Sequence, residues 1–105
     1  MQVLEQKEIE IIEKLDFLKG VELDPWILSW VLAENGARRY SYEIACIIVS
    51  YTLLIHYINC RIKDSFIEKQ IEYYRKNLEK CLEDAPELKI EILKKYAEKY
   101  RKNKK

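Results

Sequence analysis

"IACIIVSYTLLIHYINC", residues 44–60, is the longest uncharged run in the chain, and its reading decides whether the fold is built for lipid or for packed protein helices. A bilayer span needs roughly 20 predominantly apolar residues, whereas this run offers about 17 uncharged ones that include Ser50, Thr52, His56 and Asn59. The placement of these residues matters more than their number. Ile44, Ile48, Tyr51, Ile55, Ile58 and Ile62 recur in alternating steps of four and three, the stripe of a packed helix, while Thr52, His56, Asn59 and Lys63 form a second, polar stripe beside it. Facing that polar stripe to lipid would cost on the order of several kcal/mol. The expectation is therefore a central helix covered by protein, with a membrane association disfavoured.

Downstream, Ile67, Ile71, Tyr74 and Leu78 make another stripe, ending near Cys81 and Leu82 and out of phase with the first. Ser65 and Glu68 stand in capping-box relation at the break, so a helix boundary is expected near Lys63 to Ser65. No Gly or Pro marks it, which leaves two readings: a tight hairpin, or one long bent central helix. In the hairpin, Cys46 and Cys81 would lie at similar distances from the turn and approach one another. Asp84, Pro86 and Glu87 open a last helix along Leu88, Ile92, Leu93, Tyr96 and Tyr100.

Upstream, Asp24 before Pro25 is an N-cap and first-turn arrangement, and "PWILSWVLAENG" should run as a helix until Asn35 and Gly36 end it. Trp26, Trp30 and Ala33 share one side of it, with Ile27, Leu28, Val31 and Leu32 around the remainder. A helix apolar all round must be buried all round, either at the bundle centre or with part of its surface under a partner. Leu4, Ile11, Ile12, Leu15 and Leu18 predict a first amphipathic helix stopped by Gly20, and Ser41 is the expected N-cap of the central helix.

Composition agrees with long helices and few turns: two Gly and two Pro in 105 residues, with abundant Glu, Lys, Ile and Leu. The Lys, Glu and Ile richness also matches hyperthermophile usage. Charge is uneven, since residues 1–40 carry eight acidic against five basic groups and residues 64–105 carry nine against twelve. The N-terminal stretch places charges where the apolar core of a leader peptide would stand, and the expected location is cytoplasmic.

The chain offers few groups for chemistry. His56 and Cys60 lie one turn apart, yet a zinc site needs three or four ligands, and a nucleophilic cysteine needs an oxyanion-stabilising loop that so glycine-poor a chain does not advertise. Neither catalysis, cofactor nor metal is expected. Cys46, Cys60 and Cys81 form no CxxC and read as buried thiols.

The expectation is thus an all-α, single-domain bundle of four to five helices over residues 1–105, with a basic, frayed end from about 101. Its expected function is a non-enzymatic protein–protein interaction module, a homo-oligomer or small subunit of a larger assembly, with Trp26, Trp30, Ile44, Ile48, Tyr51 and Ile55 at the contact. The alternative is an accessory nucleic-acid-binding protein. It would use Arg38 and Arg39, set beside Tyr40 and Tyr42, together with the basic last helix: Lys94, Lys95, Lys99, Arg101 and Lys102.

Overall fold

A computed structural model of the chain describes residues 6–104. Among them are five α-helices and no strand: α1 (Gln6–Lys14), α2 (Pro25–Glu34), α3 (Ser41–Ile58), α4 (Ser65–Cys81) and α5 (Pro86–Asn103). The all-α bundle expected from periodicity is the observed fold.

Local chemistry sets most of the boundaries. Asp24 caps α2, its Oδ1 accepting from the amides of Trp26 (3.0 Å) and Ile27 (3.2 Å), and Pro25 fills the first turn, where no amide partner is needed. Asn35 and Gly36, the latter at φ +60°, close it. Three boundaries differ from expectation. Ser41 lies inside α3, which is entered through a 3₁₀ turn over Arg38–Tyr40 and has Tyr40 at its N-cap position. Asp64, not Ser65, caps α4 by accepting from Ile67 (2.9 Å), because its carboxylate sits one residue earlier and already meets that amide. Ala85, not Asp84, precedes α5, in the left-handed conformation at φ +50°.

The first segment is the fourth difference. α1 ends at Lys14 instead of running to Gly20, and a 3₁₀ turn follows over Asp16–Leu18. Leu15, Leu18 and Val21 are all buried: a 3₁₀ turn carries the chain from Leu15 to Leu18, and a second turn through extended Lys19 and left-handed Gly20 returns Val21 to the core. The bonds Leu18 N–H to Leu15 O and Val21 N–H to Leu18 O, each 2.9 Å, close these two successive turns. Leu4, assigned to the same stripe, lies outside the described residues.

The chain reverses between α3 and α4, and α4 packs along α3 as a helical hairpin, with the Tyr57 and Tyr74 rings stacked at 6.0 Å. Lys63 replaces the missing glycine. Its ammonium folds over the C-terminus of α3 and donates to the carbonyls of Tyr57 (3.0 Å), Ile58 and Cys60 (2.6 Å), groups a helix end otherwise leaves unpaired.

α2 packs chiefly on α5. The Tyr96 hydroxyl, fully buried, accepts from the Asp24 amide (2.7 Å) and donates to the Glu22 carbonyl (2.6 Å), tying the entry of α2 to the middle of α5. The core gathers Leu15, Leu18, Val31, Ile44, Ile47, Ile48, Leu54, Leu78, Ile92, Leu93 and Tyr96. The molecule measures 43 × 32 × 19 Å, so its shortest dimension is about two helix diameters. A slab of two layers gives every helix an outer side.

Candidate interaction surface

α2 shows what that outer side means for an apolar helix. Ile27, Leu28, Val31 and Leu32 turn into the core, and the opposite positions, Trp26, Ser29, Trp30 and Ala33, are exposed. Trp26 is 85% and Trp30 54% exposed. The helix is therefore not at the bundle centre, one of the two places its composition allowed. Leu23, three residues before Trp26, is also exposed and shares a depression of about 220 Å³ with Glu22, Val49, Thr52 and Leu53. A soluble surface carries isolated apolar residues as a matter of course, but two tryptophans one turn apart on one helix face are a concentrated apolar payload.

Charge surrounds this face. At its C-terminal end the Lys99 ammonium sits 3.6 Å from the Trp30 ring centroid and 2.6 Å from Glu34 Oε1, so the cation is both stacked and paired. A groove of about 310 Å³ between α2 and α5 runs from there, lined by Val31, Glu34, Asn35, Lys95, Glu98, Lys99 and Lys102. At the N-terminal end Lys104 Nζ lies 3.1 Å from Asp24 Oδ2. That hydrogen bond, followed by the bond from the Ile27 amide, holds the Asp24 carboxyl below its ordinary range, and the same contact raises the Lys104 ammonium above its own.

The remaining residues expected at the contact are placed differently. Ile44, Ile48 and Tyr51 are enclosed by the chain's own helices and present nothing to a partner, while Ile55 is half-buried. The periodicity identified a packing face, and this chain's own segments fill it, with Tyr51 and Ile55 beside residues 18–22. The Tyr51 hydroxyl is buried without a hydrogen-bond partner among the described residues; burial, then the Asp16 charge, pushes its pKa up. By length and hydropathy the stretch Arg38–Ile58 passes for a membrane span. Within it Ile44, Ile47, Ile48, Tyr51 and Leu54 are packed in protein.

Of the residues expected at a nucleic-acid contact, Lys95, Lys99 and Lys102 line the α2–α5 groove together with Glu34 and Glu98. Arg38 and Arg39 are exposed, with the Arg39 guanidinium 4.8 Å from the Tyr40 ring. Lys95 bonds Asn35 Oδ1 (2.8 Å) and pairs with Glu91 (3.4 Å), and Lys102 pairs with Glu98 (3.1 Å). Lys94 lies 5.8 Å from the Phe17 ring. Arg101 donates to the carbonyls of Phe17 and Lys19, so the end expected to fray from about 101 is docked and helical to Asn103. Lys105 lies outside the described residues.

His56 and Cys60 do not engage through their functional atoms. The Cys60 thiol donates to the backbone carbonyl of His56 at 3.5 Å, and the imidazole, exposed, meets the Tyr57 ring edge-on at 5.2 Å. Among the described residues no three His, Cys, Asp or Glu side chains gather as a metal would require. Cys46 and Cys81 meet across the hairpin as free thiols; burial first, then the Cys46 neighbour, pushes the Cys81 thiol up.

Sequence reasoning passed over Lys89. Its side chain is fully buried, with Nζ 3.1 Å from Glu43 Oε1, 2.7 Å from the Cys81 carbonyl and 5.2 Å from the Tyr40 ring. One ammonium thus joins α3, the end of α4 and the start of α5, with the partners a buried charge demands. The signal was present: Lys89 stands three residues before Ile92 and four before Leu93, in phase with their buried face.

No family model, curated protein or solved structure matches this chain.

Proposed function

We propose that the protein is a non-enzymatic helical interaction module that binds another protein chain through the outer face of α2. The exposure of Trp26 and Trp30, one turn apart on a helix whose other side is fixed in the core, carries this reading. Tryptophan contributes large contact area with few rotatable bonds and is a frequent anchor of protein interfaces. The face is also held rigid, with α2 capped by Asp24 and tied to α5 through Tyr96, so little ordering would remain to be done on binding. Against the nucleic-acid alternative stand the ion pairs and carbonyl contacts that already occupy Lys95, Lys99, Arg101 and Lys102.

A benzophenone amino acid placed at position 26 of the full chain, expressed in its native host and irradiated, tests the reading. A covalent adduct of discrete protein mass is expected there and not from the same group at exposed Glu83. Absence of any protein adduct at position 26, or adducts to nucleic acid alone, would refute it.

A further inference from the structure

We infer that Cys46 and Cys81 are a redox-active pair, a thiol modification site that closes to a disulfide across the α3–α4 hairpin by exchange with a low-molecular-weight disulfide. The inference is independent of the α2 surface. Its basis is the register of the hairpin. Counted from Asp64 at the turn, Cys46 stands 18 residues before and Cys81 17 after, so antiparallel packing returns the end of α4 to the first half of α3. Lys89 fixes that register by distance. Its ammonium lies 3.1 Å from Oε1 of Glu43, three positions before Cys46 on α3, and 2.7 Å from the carbonyl of Cys81 itself. The two thiols are in side-chain contact, and the Tyr42 hydroxyl, one turn before Cys46, reaches the Cys46 sulfur as a hydrogen-bond partner. Forming the bond therefore shortens an existing contact and does not have to bring distant groups together.

Access and chemistry agree with this assignment. Both cysteines are free and half-buried, and beside them Tyr42 is 79% exposed, so the pair opens to solvent on the Tyr42 side. One cysteine thiolate attacks the small disulfide R–S–S–R, forming a mixed disulfide and releasing R–S⁻. The second thiolate then attacks the protein sulfur of that mixed disulfide and releases the other R–S⁻. The two protons given up by the cysteines go to the released thiolates, so the pair is oxidised by two electrons and the small disulfide is reduced to two R–SH. Burial, followed by the Cys46 and Glu43 neighbours, holds the Cys81 thiol above its ordinary range against the smaller pull of the Lys89 ammonium. The fold thus does not stabilise Cys81 as a thiolate, the device by which strongly oxidising disulfides are made, and the closed form is favoured accordingly. The bond joins residues 46–81 into a covalent loop at the corner where Lys89 already ties α3, α4 and α5. Cys60, at the other end of the hairpin, stands about 20 Å from Cys46 along the direction of α3 and serves as an internal control.

Equilibration of the full-length chain with reduced and oxidised glutathione at about pH 8, near the ordinary thiol value, tests the proposal by mass spectrometry after acid quenching. The expected product is an intramolecular one lacking two hydrogens, with the Cys46 and Cys81 peptides joined and only Cys60 open to alkylation. Its formation constant should be at least about 100-fold larger in the folded chain than in denaturant, a ratio that equals the stabilisation of the fold by the bond. Cys60→Ser should leave that constant unchanged. Cys46→Ser, with its far-UV circular dichroism intact, should yield glutathione adducts and no internal bond. A folded wild-type chain that takes glutathione on Cys46 or Cys81 without joining them overturns the proposal, as does one whose thiols all stay free in excess oxidised glutathione. Pairing that involves Cys60, or closure no more favourable than in denaturant, overturns it equally.

Discussion

α2 and α3 are the two helices of this chain that are apolar around most of their circumference, and they meet opposite ends. α3 has a hairpin partner, α4, along its length, and Ile44, Ile47 and Ile48 are enclosed by the chain's own segments; α2 has α5 beneath it and solvent above. Similar composition, then, does not imply similar burial. The number of helices that a slab 19 Å thick can stack decides how many sides are covered, and α2 belongs to an outer layer. What a sequence records as surplus apolarity becomes, in three dimensions, one helix face with nothing on it.

The largest test of this contrast sets Leu54→Ala against Trp26→Ala. Leu54 is fully buried, and its truncation should cost about 2–5 kcal/mol. Trp26→Ala should change the stability of the dilute chain by no more than about 0.5 kcal/mol, both read by urea denaturation. Equal losses would erase the distinction between the helices. Next in size is Lys89→Ala, which removes the ammonium that ties Glu43 of α3 to the α4–α5 corner and should cost about 1–3 kcal/mol; Glu43, partly exposed, regains water and limits the loss. Lys89→Met keeps the aliphatic stem and should recover part of it.

A smaller effect, of opposite sign, is expected at Ala85. A residue with a Cβ at φ +50° is strained, and Ala85→Gly should raise stability by about 0.5–1 kcal/mol, visible as a higher melting temperature. The smallest effect separates the two helices by pH. Asp24 has its carboxyl lowered in the fold, so its contribution is complete above the ordinary value of about 3.9 and vanishes as pH falls through the folded value. Hydrogen exchange below pH 4 should therefore lose protection in α2 before α3. Asp24→Asn retains a capping oxygen and should remove that order of events.

Much of this architecture was legible in the chain. Asp24–Pro25 and Asn35–Gly36 bound α2 in sequence as they do in space, and the phase slip between Ile62 and Ile67 marked the boundary between α3 and α4 while leaving a hairpin and a bend both open. Capping by side chains made the corner harder to read, since Lys63 carries no turn signature and acts only because three carbonyls happen to converge on it. The spacing of Leu15, Leu18 and Val21 was visible as well, but a step of three fits both an α-helix and a 3₁₀ turn. For the site, periodicity assigned Ile44, Ile48 and Tyr51 to a packing face without naming its partner, and they proved internal. Conversely, no pattern within α2 could say which half of its circumference the rest of the chain would claim.

The Lys63 corner has a consequence of its own. Elsewhere a glycine lets the backbone turn by virtue of its missing side chain, a property no reagent can alter; here the bend is sealed by a primary amine. Acylation of that nitrogen removes the positive charge and two of its three protons at once, unfastening the end of α3 while the polypeptide stays whole. Covalent chemistry on a single nitrogen thus becomes a clasp for the longest apolar helix in the molecule.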